Sequence, residues 1–350
     1  MTKYALITGS CGLVGSESVN FLINKNFLVY GIDNNERKKL FGKEGDTNWI
    51  KNKLKKIKRY KHCNVDISNF YNVEKIFKKI GNKLNLIIHC AAQPSHDWAK
   101  NNLKKDFNIN AVGTLNMLDL TQKYSPKCVF IHLSTNKVYG DNPNKINLKE
   151  QRNRFVPKKI FFKNGFDEDL STDSCTHSFF GVSKIYGDYL AQEFGRNYNL
   201  NIGIFRAGCI TGPNHSGAQL HGFLSYLVKS CIKNKKYNII GYKGKQVRDN
   251  IHSQDLLNCF WEFYKKPKKG EVYNIGGGTF SNCSILEAIH YIELKINKKI
   301  KIKYTKKPRI GDHIWYISNI NKFKKHYPNW KQVYNTKKIL DELIDNSDID

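Results

Sequence analysis

Three glycines near the start of the chain could do chemistry together. Gly9, Gly12 and Gly15 stand three residues apart in Thr8-Gly9-Ser10-Cys11-Gly12-Leu13-Val14-Gly15, directly after the apolar run Tyr4-Ala5-Leu6-Ile7. A strand entering such a turn and leaving as a helix presents backbone N–H groups to a phosphate. Gly9 permits the tight turn, Gly12 admits a pyrophosphate, and Gly15 lets the helix pack against the strand. A second apolar run, Phe27 to Ile32, ends in Asp33, eighteen residues beyond Gly15. A carboxylate there accepts hydrogen bonds from ribose hydroxyls and repels a 2′-phosphate, which favours NAD over NADP. Asp66 ends a third run, His62 to Val65, where an adenine amino group would lie; capping the following helix is a second role for it.

These groups need parallel strands to position them. Strands are expected at 62–65, at Leu84–His89, at Cys128–Leu133 and at Ile202–Phe205, alternating with helices at Val73–Ile80, Phe107–Lys123 and Phe179–Tyr198. That alternation predicts an α/β fold with a Rossmann-type doubly wound parallel sheet. Cys90-Ala91-Ala92-Gln93 follows the fourth strand with small side chains that let a dinucleotide cross the strand ends. Residues 1–210 are expected to form the cofactor domain, with a basic insertion at 34–60. Residues 211–350 are expected to form mainly a smaller substrate lobe, with part of 241–260 returning to the first domain.

Composition narrows the classes. The chain has 350 residues and nine scattered cysteines without a CxxC or zinc-type spacing, so no metal is expected and reduced thiols in the cytoplasm fit. No run of eighteen apolar residues suggests a membrane span, and the first strand begins too early for a signal peptide. The net charge is +28. Its lysines are spread along the chain, densest at Glu36–His62, where eleven Lys/Arg face three acids; Trp49–Arg59 within it reads as a basic surface helix without interleaved stacking aromatics. A solvated basic face fits this better than a specific nucleic-acid site, and it favours an anionic nucleotide substrate.

In this order the motifs resemble the nucleotide-sugar epimerases of the extended short-chain dehydrogenase/reductase family. The resemblance rests on the glycine turn, Asp33, Asp66, Ala92-Gln93-Pro94-Ser95-His96, Ser134-Thr135-Asn136-Lys137-Val138-Tyr139-Gly140, Lys184 and Gly241 to Asp249. It is nearest to members acting at C2 of a CDP-dideoxyhexose. It implies tightly held NAD, transient hydride transfer, a nucleotide-diphosphate sugar (a CDP-sugar favoured) and a homo-oligomer built on helices such as Phe107–Lys123 and Phe179–Tyr198. It extends the cofactor contacts to Leu13, Val14, Asn34, Ile67, Gln93, Asn110, Ser134 and Lys184. For the substrate it implies Pro94, Ser95, Thr135, Asn136, Asn214, His221, Arg248 and Arg309. Thr135 matches the residue that hydrogen-bonds the reacting oxygen, and Lys184 the lysine on the nicotinamide ribose.

One departure matters. The family's proton-carrying tyrosine stands four residues before that lysine, and here the position holds Phe180. Another acid/base, slow turnover or lost catalysis are the three readings. His177, just before the helix, is the leading substitute, with a capping-loop role as its alternative and Tyr139 as the runner-up. The related 4,6-dehydratases carry Thr-Asp-Glu where this chain has Thr135-Asn136-Lys137, so epimerisation is favoured over dehydration. The substitute role for His177 predicts that His177→Ala abolishes turnover and leaves NAD bound.

Overall fold

The computed structural model describes residues 2–213 and 222–346. Seven parallel strands form the central sheet: β1 (Lys3–Thr8), β2 (Phe27–Ile32), β3 (Tyr60–Cys63), β4 (Leu84–His89), β5 (Val129–Thr135), β6 (Ile202–Ala207) and β7 (Glu271–Ile275). Their order is β7-β6-β5-β4-β1-β2-β3. The order reverses between β1 and β4, which opens a crevice at the carboxyl ends of the strands. Ala5, Leu6 and Ile7 are fully buried, because helices cover both faces.

One face carries α1 (Leu13–Asn24), the other α2 (Phe70–Ile80), α3 (Gly113–Tyr124) and α4 (Phe179–Asn197). The first face is completed by α5 (Ser253–Lys265), whose Leu256, Phe260 and Phe263 join the core around Val19 and Phe205. The chain therefore returns to the sheet further along than 241–260: α5 and β7 run to Ile275. The hydrophobic side chains of Val272, Tyr273 and Ile275, all buried, make that edge strand. A separate apolar cluster joins Leu224, Leu227 and Val228 to Ile289, Ile292, Ile339 and Leu340, outside the sheet.

The helix expected at 107–123 is longer and interrupted. A helical run begins at Leu103, passes through a π-turn at Asn108–Val112 and continues as α3. Such turns insert one extra residue and re-aim side chains, here Asn110. The basic insertion is also structured. Helix Asn48–Lys55 buries Ile50 and Leu54 in the core and turns its lysines outward.

A buried ionic network fixes α4 against the sheet. Asp188 on α4 accepts from Arg206 on β6 at 3.0 Å (Nε to Oδ2) and 2.9 Å (Nη2 to Oδ1). Ser134 Oγ donates to the same carboxylate at 2.5 Å, and Gln192 Nε2 at 2.7 Å. Arg206 also donates to the Tyr139 hydroxyl, which donates to Asn274 on β7. Asp188→Ala would leave Arg206 charged, buried and unpaired. It is expected to cost about 3–5 kcal/mol of stability in denaturant unfolding, far more than loss of an exposed ion pair.

Candidate active site

The strand ends open onto a cleft of about 460 Å³. Its floor begins at the glycine turn. Gly9 has φ +66°, and its N–H donates to the Ile32 carbonyl at 2.8 Å. Gly12 is the N-cap of α1, and no side chain caps that end. The first N–H groups of α1 are thus left for a ligand. A Cβ at Gly15 would stand 2.0 Å from the Gly9 carbonyl oxygen, and one at Gly9 2.9 Å from the Ala91 backbone. A side chain at either position would displace the backbone that the turn packs against.

Asp33 lies at the next strand end. Its Oδ2 accepts the Cys11 N–H at 2.9 Å and its Oδ1 the Asn35 N–H at 2.8 Å. Both bonds aim the carboxylate while leaving lone pairs for ribose hydroxyls. Asp66 Oδ1 accepts from the N–H of Ser68 at 2.9 Å and its hydroxyl at 2.7 Å. The cap of α2 is Asn69, so Asp66 holds the turn before the helix. Leu13, Val14, Asn34, Ile67, Ala91 and Ala92 line the same cleft. The insertion contributes Arg37, Leu40, Thr47 and Ile50 to it, none of which motif spacing singles out.

Three residues expected to touch ligand stand behind the wall instead. Gln93, Ser95 and Asn110 are buried and do not line the cleft. Gln93 N–H donates to Asn110 Oδ1 at 2.9 Å, and Asn110 Nδ2 returns a bond to the Gln93 carbonyl at 3.1 Å. Gln93 Nε2 donates to Asp106, and Asn110 Nδ2 lies 3.0 Å from Ser183 Oγ on α4. Together they hold the 91–94 segment in place. Ser134 reaches the cleft edge, but its hydroxyl is turned to Asp188.

Thr135, Asn136, Lys137, Phe180 and Lys184 come together at the far end of the cleft. Thr135 Oγ1 accepts the Lys137 N–H at 3.2 Å, so its O–H remains available to donate. Lys184 Nζ donates to the Leu133 carbonyl at 3.0 Å. Burial pushes its ammonium down to about 8, against the pull of Asp188, Cys90 and Asp106. Phe180, one turn earlier, is buried and edge-to-face with the His96 ring at 4.9 Å. Pro94, Arg248 and Arg309 complete the wall. Arg248 pairs with Asp312 at 2.6 Å, and Arg309 Nε lies 3.6 Å from Asp97. Asn214 and His221 lie outside the described residues.

His177 is not brought to this site. It does not line the cleft, and its Nε2 lies 2.9 Å from the Val138 carbonyl. A carbonyl can only accept, so that nitrogen carries the ring proton and cannot take another. The imidazole braces the 136–139 turn. His177→Ala is accordingly a change to that turn rather than to the cleft.

The glycine cradle, the uncapped α1 terminus and the aimed Asp33 fit a dinucleotide. The model of the NAD dependent epimerase/dehydratase family matches residues 5–276, and this chain belongs to that family. Its cofactor is NAD. Among curated proteins it is 30% identical to CDP-paratose 2-epimerase of Salmonella typhi over 326 residues, 91% of each chain. It is 27% identical to UDP-glucuronate 4-epimerase of Thermodesulfobacterium geofontis over 304 residues, 86% of this chain and 83% of that one. Among solved structures, UDP-glucuronic acid 4-epimerase from Bacillus cereus, in complex with UDP-glucuronic acid and NAD, has a TM-score of 0.79 at 23% identity, covering 99% of both chains. dTDP-glucose 4,6-dehydratase from Bacillus anthracis, in complex with NAD, has a TM-score of 0.78 at 20% identity, covering 99% and 97%. Likeness at these identities is one of fold.

The cradle yields a direct test. Gly15→Ala is expected to purify without NAD, read from cofactor released on denaturation, because its Cβ meets the Gly9 carbonyl at 2.0 Å.

Proposed function

We propose that this protein is an NAD-dependent epimerase that inverts C2 of a CDP-dideoxyhexose, the sugar of CDP-paratose and CDP-tyvelose. One observation carries epimerisation over dehydration. The acidic residues lining the cleft, among those described, are Asp33, Glu36, Asp66 and Asp312. The first three stand at the adenosine end, and Asp312 is paired with Arg248. Beside Thr135 stand Asn136 and Lys137, so no carboxyl is offered there for expelling water from the sugar. The CDP-sugar preference is supported by the 30% identity to CDP-paratose 2-epimerase.

Bound NAD supplies a hydride acceptor that becomes the donor for the return. The residues of the chain do the rest. Thr135 holds the reacting hydroxyl, Lys184 the nicotinamide ribose, and Arg248 and Arg309 the diphosphate, to which planar guanidinium groups are suited. The keto-sugar turns within the cleft and is reduced on its other face. Nine free cysteines fit a reducing cytoplasm. Among the described residues no helix is long and apolar enough to cross a membrane.

We also propose a homodimer through α4. Phe179, Val182, Tyr186 and Tyr189 recur at helical spacing and are all exposed, beside exposed Leu103 and Phe107. Leu190 faces inward against the core, so it is not the residue to probe. Val182→Glu with Tyr186→Glu is expected to give monomers in sedimentation.

A panel of CDP-, UDP- and dTDP-sugars tests the reaction. CDP-paratose is expected to give its C2 epimer, with no 4-keto-6-deoxy product from any sugar. A 4-keto-6-deoxy product, or turnover of every sugar except a CDP-sugar, contradicts the reading.

A further inference from the structure

Phe180 carries no exchangeable proton, yet besides Lys184, already assigned to the nicotinamide ribose, His96 and Lys137 line the cleft with it. His96 lies against the Phe180 ring, and its Nδ1 is 2.6 Å from Ser178 Oγ, the N-cap of α4. Burial, with Lys137 and Arg309 nearby, holds its imidazolium down to about 3. A ring so reluctant to take a proton is a poor base at neutral pH.

Lys137 is placed differently. It stands two residues beyond Thr135, at the start of the turn that leaves β5, and lines the cleft with Phe180 and Lys184. Its side chain is 17% exposed. Nζ donates to the Gly311 carbonyl at 3.0 Å and lies 3.7 Å from Asp312 Oδ1. Asp312 is closed on Arg248 at 2.6 Å, so the amine has no tight carboxylate partner of its own. Burial pushes the ammonium down to about 8, Arg248 adds to this, and Asp312 and Cys209 oppose it. His96 and His313 are the other titratable groups that sense its charge. Both are held neutral by burial, so neither adds a positive charge beside it at neutral pH.

We propose, resting on the epimerase reading above, that Lys137 is the general acid–base that takes the place of the phenol missing at Phe180. Its neutral amine takes the proton of the sugar hydroxyl held by Thr135. As that O–H bond breaks, the carbinol C–H pair leaves as hydride to bound NAD, and the C=O bond forms. On return, hydride comes back to the other face of that carbon and the Lys137 ammonium gives its proton to the oxygen. The amine is restored, so one group serves both half-reactions.

Two measurements test this on the NAD-bearing protein. Competitive acetylation with acetic anhydride, read by mass spectrometry across pH, reports Lys137 without any turnover. A labelling midpoint near 8 is expected, against about 10.4 for an ordinary lysine; a midpoint above 10 overturns the proposal. In turnover assays, kcat/KM is expected to rise with pH to a plateau above about 8, as the amine loses its proton. Lys137→Met is expected to lose about 10²–10⁴-fold in turnover while keeping NAD and CDP-sugar binding in calorimetry. Adding Phe180→Tyr is expected to restore turnover. Turnover of Lys137→Met within threefold of the parent overturns the proposal. So does a parent inactive on every sugar beside an active Phe180→Tyr variant, and that result leaves the epimerase reading standing. Inactivity of both on every sugar defeats the epimerase reading, and this proposal with it.

Discussion

The carboxylate of Asp188 ties the helix, the sheet and the cleft together. It is fully buried, and a buried charge is tolerable only when paired and hydrogen-bonded. Arg206 meets it with two parallel bonds, and Ser134 and Gln192 take further lone pairs. That demand fixes the rotation of α4 about its axis. Lys184 stands one turn from Asp188 and Phe180 one turn further, so both must face the cleft. The same rotation turns Val182, Tyr186 and Tyr189 to the surface. The cleft-lining residues and the apolar stripe are thus two faces of one orientational constraint.

Charge is distributed along the cleft in a matching way. Asp33 and Asp66 line the end beside the glycine turn, which the proposed function assigns to the adenosine, whose hydroxyl and amino groups need acceptors. Lys137, Lys184, Arg248 and Arg309 line the other end, to which the proposed function assigns the diphosphate and the reacting hydroxyl. The overall charge of +28 says little about this division, because most lysines lie on solvated faces. Desolvation lowers Lys137 and Lys184 to about 8.

Much of this architecture is legible in the residue order. Apolar runs bounded by small residues mark buried parallel strands, and the glycine spacing has one conformational use. Asp33 and the 90–92 segment follow from the ends of those strands. What lies behind the cleft wall is less legible. Gln93 and Asn110 have amide groups suited to a ligand as much as to each other, and only the π-turn decides that they pair. His177 and His96 are both histidines beside the α4 start in space, but the sequence shows only the nearer one. The Val138 carbonyl claims His177, whereas His96 comes from β4's side of the cleft. The return of β7 to the sheet depends on pairing with β6 across more than sixty residues, which local pattern does not encode.

On the proposed epimerase reading, the sugar's own hydrogen leaves and returns inside this cleft without passing through solvent. The most direct test is CDP-paratose deuterated at C2, incubated with the NAD-bearing protein in ordinary water and followed by NMR. Conversion to the C2 epimer with deuterium still at C2 is expected. Epimer in which C2 has gained solvent hydrogen, or no conversion by protein shown to hold NAD, would contradict it.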